Sequence, residues 1–373
     1  MQTVVHKYGG SSLANLEKLG KVADRIAGVH AGGVRLVVVV SAMGNTTNEL
    51  ISLAREVSPH PDRRELDMLI SVGERITMSL LAMALRDRGV PAVSLTGSQS
   101  GIITDESHAG ANVVEVRPNR VRKHLDADQV VIIAGFQGVS RAREVTTLGR
   151  GGSDMTAVVL AAALDASYCE ICSDVDGVWT TDPNATPDAI KLDTLSLDEA
   201  LAMARGGARV LYEEALRYAR DHGVEIHAQS TFGPGTGTRL TTDAPPTARV
   251  TAVAGSADVC RLRVDPLTPQ DLTALIEKGA RIRHCVESEV FFDTQNVHES
   301  IEGATPTALV TCVGSGLDQY PPLMSQSLSA LTEASIDIRA VGTSPDLFWC
   351  EVSREDLDRS VATLHSHWCA PES

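Results

Sequence analysis

The chain has 373 residues, 43% of them apolar and 22% charged, with a net charge of −15. This composition fits a soluble globular protein of two or three domains with a large core. The acidic balance argues against nucleic-acid or anionic-membrane partners, which call for basic patches. No apolar run reads as long enough for a membrane span. The N-terminus runs straight into "TVVHKYGG", without a leader pattern, and the seven cysteines are an odd, scattered set. A reducing cytoplasm is therefore the expected setting.

The elements follow in chain order. "TVVHKYGG" is a short strand closing on glycines, and "NLEKLGKVADRIAGV" has helical apolar spacing. "VRLVVVVSAMG" is the continuous apolar run of a strand buried on both faces. "ELDMLISVGERITMSLLAMALRDRG" predicts one long helix ending at a glycine. "PAVSLTG", "DQVVIIAGFQG", "AVVLAAALDA", "YCEICSDVDGV" and "VEIHAQST" continue the alternation. Alternating strands and helices predict an α/β fold with a mostly parallel sheet covered on both faces. Ligands in such sheets sit beyond the carboxyl ends of the strands. The clusters "YGGSS", "SAMG", "TG", "GFQG" and "SDVDG" all follow apolar strands, so they predict one crevice along one sheet edge.

"TTDAPPTA", residues 241–248, has linker composition. Beyond it, two strand-like stretches, "VTAVAGSADVCRLRV" and "TALVTCVGSG", each precede a helical stretch. This pattern predicts a duplicated small α+β unit with a regulatory or assembly role. The expected division is 1–242 and 249–373.

Lys7 stands before Gly9, Gly10, Ser11 and Ser12. Glycine-exposed N–H groups, a nearby helix start and a full positive charge suit phosphate oxygens. The lysine precedes the glycines, so this is not a Walker A loop. A surface lysine before a turn is the alternative. Ser41 ends the second strand, and Thr46, Thr47 and Asn48 are cap types that also suit a polar ligand. Glu74, in an apolar helical stretch, reads as an exposed charge or as a carboxylate facing a substrate ammonium.

Arg150, among Gly149, Gly151 and Gly152, can hold a carboxylate or phosphate through two parallel hydrogen bonds. Asp154 falls where a helix-capping acid is favoured. Ser173, Asp174 and Asp176 end a strand, and Trp179 suits either adenine stacking or core packing. Arg209 reads as a second phosphate-side cation or a surface charge. Cys169 and Cys172 form a C-x-x-C inside a strand-like stretch, which supports neither a redox pair nor a metal site.

Seven segments, "KYGGSS", "VSAMGNTTN", "SVGER", "SLTGSQSGIITD", "AGFQGV", "TTLGRGGSD" and "SDVDGVWTTDP", follow in order within about residues 3–240, the extent of the likeness they carry. In this set the chain resembles the aspartate kinases of the amino-acid kinase family. The resemblance implies a three-layer αβα sandwich followed by tandem ACT-like modules that support a homodimer or higher homo-oligomer. It implies phosphorylation of the L-aspartate side-chain carboxylate by ATP with Mg2+. Lys7 and Asp154 would be catalytic, with Asp154 orienting Lys7. Ser41, Thr47, Glu74, Arg150 and Ser153 would bind the amino acid. Lys7, Gly9, Gly10, Ser11, Ser173, Asp174, Trp179, Asp182 and Arg209 would face the nucleotide.

Some positions depart from the family pattern. "GARVLYEE" replaces "GAKVLHP", Trp179 replaces a tyrosine, and Asn184 replaces a phosphate-side arginine. The Pro-Gly effector loop is missing from "VDPLTPQDLTALIEKG" and "GSGLDQYPPLMSQS". Lysine or threonine inhibition is thus expected to be weak, altered or absent. A paralogue acting on another amino-acid carboxylate, and a catalytically weak amino-acid-sensing subunit, are the alternative readings.

Overall fold

The structure is a computed structural model that describes residues 1–208, 210–244, 250–294, 297 and 300–369. The first elements are β1 (Thr3–Tyr8), α1 (Leu16–Ala31), β2 (Arg35–Val40), α2 (Thr46–Val57), α3 (Arg63–Ile70), α4 (Val72–Asp87), β3 (Ala92–Leu95) and α5 (Gly97–Ser100). Then come β4 (Ile102–Thr104), β5 (Val113–Val116), α6 (Asn119–Asp126), β6 (Val130–Ala134), β7 (Gln137–Ser140), β8 (Val145–Thr147), α7 (Gly152–Ala163) and β9 (Cys169–Ser173). β10 (Val178–Trp179), β11 (Lys191–Leu192), β12 (Thr194–Ser196), α8 (Leu197–Gly206), α9 (Glu213–His222), β13 (Ile226–Ser230) and β14 (Thr238–Thr241) follow. The chain forms two compact units. One comprises Met1–Val178, Asp193–Leu197 and Leu211–Ala244; the other comprises Trp179–Leu192, Asp198–Val210 and Pro245–Ser373.

The first unit is built on an eight-stranded sheet of order β12-β14-β13-β9-β1-β2-β6-β3. Its neighbours are parallel except at β13–β14, which makes it the mostly parallel sheet of an αβα sandwich. β1 lies at the centre, pairing with β2 and β9. Because strand side chains alternate between faces, Val4, His6 and Tyr8 point one way and Val5 and Lys7 the other. The first set faces the core made with α1 and α4, where Leu19, Val22, Ala23, Ile26, Leu81 and Leu85 are buried. The α1 positions recur at i, i+3, i+4 and i+7, the stripe its sequence predicted. Asn15 starts that helix by accepting from the Lys18 N–H at 2.9 Å.

The expected single helix over 65–89 is divided at Ser71, whose hydroxyl donates to the Met68 carbonyl, into α3 and α4. The Arg63–Asp87 stretch is long and apolar enough to cross a membrane by length and composition. That corrects the expectation that no such run exists. Half of its most apolar window is buried inside the protein, as for a core helix. Cys169 and Cys172 lie three positions apart on β9, hence on opposite faces, and both are buried free thiols. This geometry excludes a disulfide between them.

The second unit carries β15 (Val250–Arg263), α10 (Pro269–Glu277), β16 (Arg281–Val286), β17 (Glu289–Asp293), β18 (Thr305–Gly314), α11 (Pro321–Glu333), β19 (Ala340–Thr343), β20 (Leu347–Val352) and α12 (Leu357–Trp368). Its six strands form one antiparallel sheet, β16-β17-β15-β18-β20-β19. Among the described residues, one core on it packs Leu275 of α10 on Val290 and Phe292, another packs Leu323, Leu331 and Leu364 on Val310 and Phe348, and a smaller one joins Val259, Phe291, Leu309 and Trp349. This arrangement matches the duplicated α+β pattern and is consistent with ACT-like modules.

The segment 179–192 belongs here because its polar groups are satisfied here. Thr180 meets His365 Nε2 at 2.8 Å, and its carbonyl accepts the Val253 N–H at 2.8 Å. α8 is anchored by Thr251, whose hydroxyl donates to Glu199 at 2.7 Å, and by Arg283, which donates to the Arg205 carbonyl. The second half of the expected linker, residues 245–248, lies outside the described residues, and its first residue, Thr241, still belongs to β14.

Candidate active site

At the end of β1, Lys7 Nζ lies 2.7 Å from Asp154 Oδ1, and the two side chains are only 13% and 15% exposed. Strand alternation aims Lys7 at the α7 face, and Asp154 stands in the first turn of α7. That helix is entered through Gly151, without a side-chain cap, so the capping reading of Asp154 gives way to an ion pair. With both partners largely out of water, the attraction is much less screened than in a surface pair.

Gly9 and Gly10 follow directly. The Gly9 N–H donates to the Cys172 carbonyl at 3.3 Å, and the Gly10 carbonyl accepts the Gly44 N–H at 3.1 Å. A Cβ on Gly10 would lie 2.9 Å from the Ala42 carbonyl oxygen. The glycine loop is therefore pressed against the loop after β2, and Gly10 leaves no room for a side chain. Ser11 is exposed at the rim and Ser12 is buried beneath it.

The same β2 loop receives Glu74. Its Oε1 accepts the Ala42 N–H at 3.0 Å, while Oε2 is buried and has no hydrogen-bond partner. The residue is 3% exposed, so the exposed-charge reading is corrected. Gly73 allows this approach, since a Cβ there would stand 2.7 Å from Ala42 Cβ. Burial pushes the Glu74 carboxyl up to about 7, against the opposing pull of two backbone N–H groups. A half-partnered buried carboxylate is suited to a cation from a ligand.

Ser41 sits beside this loop, its N–H donating to the Tyr8 carbonyl. Thr46 donates its hydroxyl to the Met43 carbonyl at 2.7 Å, and Thr47 follows it half-buried at the start of α2. Asn45, rather than a threonine, occupies the N-cap. Ser153 is buried in the first turn of α7, and a Cβ on Gly135, just past β6, would lie 2.8 Å from its Oγ. The structure thus brings Lys7, Gly9, Gly10, Ser41, Glu74, Ser153 and Asp154 to the carboxyl ends of β1, β2 and β6.

Arg150 is exposed at the tip of a turn between Gly149 and Gly151, whose φ angles are +72° and +71°. Two left-handed positions in three residues explain the glycines there. A Cβ on Gly151 would meet the Tyr212 ring at 2.2 Å. Tyr212, part of the departure "LYEE", therefore packs on this turn.

Asp67 was missed by sequence reasoning. It is fully buried, accepts from the Thr147 hydroxyl and N–H, and also binds His108 Nδ1 at 2.8 Å and the Ala109 N–H. It anchors the strand that leads into the Arg150 turn. The only signal for it was an acid inside the apolar stretch "ELDMLIS".

On the other side, the Ser173 hydroxyl accepts the Val175 N–H and its carbonyl accepts from Thr231, while Asp174 is exposed at the strand end. Trp179 and Asp182 lie in the segment belonging to the second unit. Asp182 closes a local turn by accepting the Asn184 N–H at 2.9 Å. Arg209 lies outside the described residues.

A glycine-lined strand end, a lysine fixed by an acid and a buried carboxylate on the adjoining wall define a phosphotransferase with a charged small-molecule acceptor. The amino acid kinase family matches residues 2–228. An aspartokinase of Mycolicibacterium smegmatis is 39% identical over 404 residues, covering 98% of this chain and 96% of that one. One of Corynebacterium glutamicum is 38% identical, covering 99% and 96%. The crystal structure of E. coli aspartokinase III in complex with aspartate and ADP superposes with a TM-score of 0.83 at 24% identity, covering 98% and 99%. The chain belongs to the aspartokinases of the amino acid kinase family.

Two outcomes follow from this geometry. Glu74 has a folded value above its ordinary 4.5, so its protonated form stabilises the fold most below that value and the contribution is lost as pH rises through about 7. Binding of an ammonium group needs the ionised form. At limiting amino acid, kcat/KM should therefore rise as pH climbs through about 7, and Glu74→Gln should lose both the step and most of the activity. A pH-rate profile that keeps the step in Glu74→Gln would remove this assignment. Asp67→Asn should raise KM for the amino acid by roughly ten-fold with little change in KM for ATP, measured by steady-state kinetics at saturating co-substrate.

Proposed function

We infer that the chain transfers the γ-phosphoryl group of ATP to the side-chain carboxylate of L-aspartate, giving 4-phospho-L-aspartate. The observation that carries the acceptor class is Glu74, whose buried, unpartnered oxygen calls for the α-ammonium of an amino acid. Arg150 supplies a guanidinium for a carboxylate, with Ser41, Thr47 and Ser153 as hydroxyl donors around the amino acid. The acceptor carboxylate is already ionised at neutral pH, so no protein base is required. Catalysis rests on alignment and on neutralising the charge of the transferring group.

Lys7 meets that charge, held in place by Asp154. Gly9, Gly10 and Ser11 present backbone and hydroxyl donors to the phosphates, and Ser173 and Asp174 border the nucleotide. The motif further assigns Trp179, Asp182 and Arg209 to ATP. Magnesium is proposed as an ion carried in with the ATP phosphates. It would supply charge neutralisation between the phosphate oxygens. The residues 249–373 are proposed as the regulatory and homo-oligomerising region, with 1–242 as the catalytic segment.

Hydroxylamine trapping tests the reading. With a panel of amino acids and ATP, hydroxamate should form best from L-aspartate, and Lys7→Ala should lose about 100-fold or more in kcat. Preference for another acid, or near-normal turnover in Lys7→Ala, would overturn the substrate or the role respectively.

A further inference from the structure

Behind the crevice, on the face of the sheet opposite Lys7, lies a buried polar cluster that the phosphoryl-transfer scheme does not use. Glu170 of β9 is 7% exposed. Its Oε1 accepts from Arg25 Nη2 at 2.9 Å and from Cys172 Sγ at 3.1 Å, with His6 Nδ1 3.6 Å away. Burial pushes the His6 imidazole below its ordinary value. The ion pair of Arg25 and Glu170 lies at the centre of the cluster.

Arg25 reaches further. Its Nη1 donates to the Ser230 carbonyl at 3.0 Å and the Thr231 carbonyl at 2.8 Å, at the end of β13. Thr231 in turn donates its hydroxyl to the Ser173 carbonyl at 3.0 Å and its N–H to the same oxygen at 2.8 Å. Its hydroxyl also meets the Ser12 hydroxyl at 2.6 Å. One guanidinium thus ties together the glycine loop after β1, the turn after β9 and the end of β13. A fork of fixed N–H donors can hold two carbonyls and a carboxylate at once, which a lysine ammonium on a flexible stem cannot do with the same geometry.

We propose that Arg25 and Glu170 are positioning residues for the nucleotide half of the crevice, acting through Thr231 on the Ser12 and Ser173 loops. Neither touches substrate. The pair sets where those loops present their donors, while the amino-acid wall is fixed separately by Asp67 and by the Glu74–Ala42 contact. The proposal rests on the assignment of Gly9, Gly10, Ser11, Ser173 and Asp174 to the nucleotide.

The test is a split in the kinetic constants. Arg25→Ala should raise KM for ATP by roughly ten-fold and leave KM for aspartate within about two-fold. Arg25→Lys should recover only part of the loss. Thr231→Val, which keeps the backbone bonds and removes the hydroxyl from Ser12 and Ser173, should shift KM for ATP in the same direction by less. A merely structural role would lower the amount of active enzyme and move both KM values little or together. An unchanged KM for ATP, or equal rises in both, overturns the proposal. If Arg25→Ala does not fold, Thr231→Val decides by the same criterion. Asp174→Asn tests the underlying site assignment independently, so its failure to affect ATP use is distinguishable from failure of the Arg25 link.

Discussion

The ion pair between Lys7 and Asp154 is the constraint around which the rest of the catalytic unit is arranged. It joins the central strand of the sheet to the first turn of α7, at 2.7 Å and largely out of water. A buried charge without its partner is expensive, so each side chain needs the other to stay in place. The pair also sits where the glycine loop and the "GRGGSD" segment meet, although they are far apart in sequence. In the proposed scheme the lysine would serve the phosphate side, and the aspartate comes from the segment whose Arg150 is proposed for a carboxylate. One interaction thereby fixes the position of donor and acceptor halves relative to each other, which is the main demand of phosphoryl transfer to a ready-made nucleophile.

Strand alternation divides the labour further. On β1, Lys7 faces the reacting side, while His6 and Tyr8 face α1. On β9, Glu170 and Cys172 share that second face, in register with His6 and Tyr8. In the proposed scheme, chemistry is carried on one face and the support for its loops on the other. Asp67 performs a similar task for the amino-acid wall, through Thr147 and Ala109. The site is therefore a set of strand-end loops, each tied to a buried charge that water cannot easily replace.

The parallel sheet, the strand-end glycine clusters and the candidate residues of the first unit were legible because continuous apolar strands and glycine turns leave strong local signatures. For Glu74 the sequence left two options, and burial removes only the exposed charge. Its burial depends on Gly73 letting α4 approach Ala42, a tertiary contact that helical periodicity does not encode. Asp67, Arg25 and Glu170 look like ordinary charges in a linear reading, since their partners lie on remote segments. The second unit also takes in 179–192 and 198–210, through Thr180–His365 and Glu199–Thr251. Composition along the chain could mark the linker but not this exchange of segments.

The most direct measurement is single-turnover phosphoryl transfer in Asp154→Asn, with ADP and aspartate binding measured alongside. The substitution keeps size and shape and removes the charge that holds Lys7. If the pair organises the transition state, the transfer rate should fall by about 100-fold or more while both ligands bind within a few-fold of the wild type. A transfer rate within about three-fold of the wild type would contradict the account.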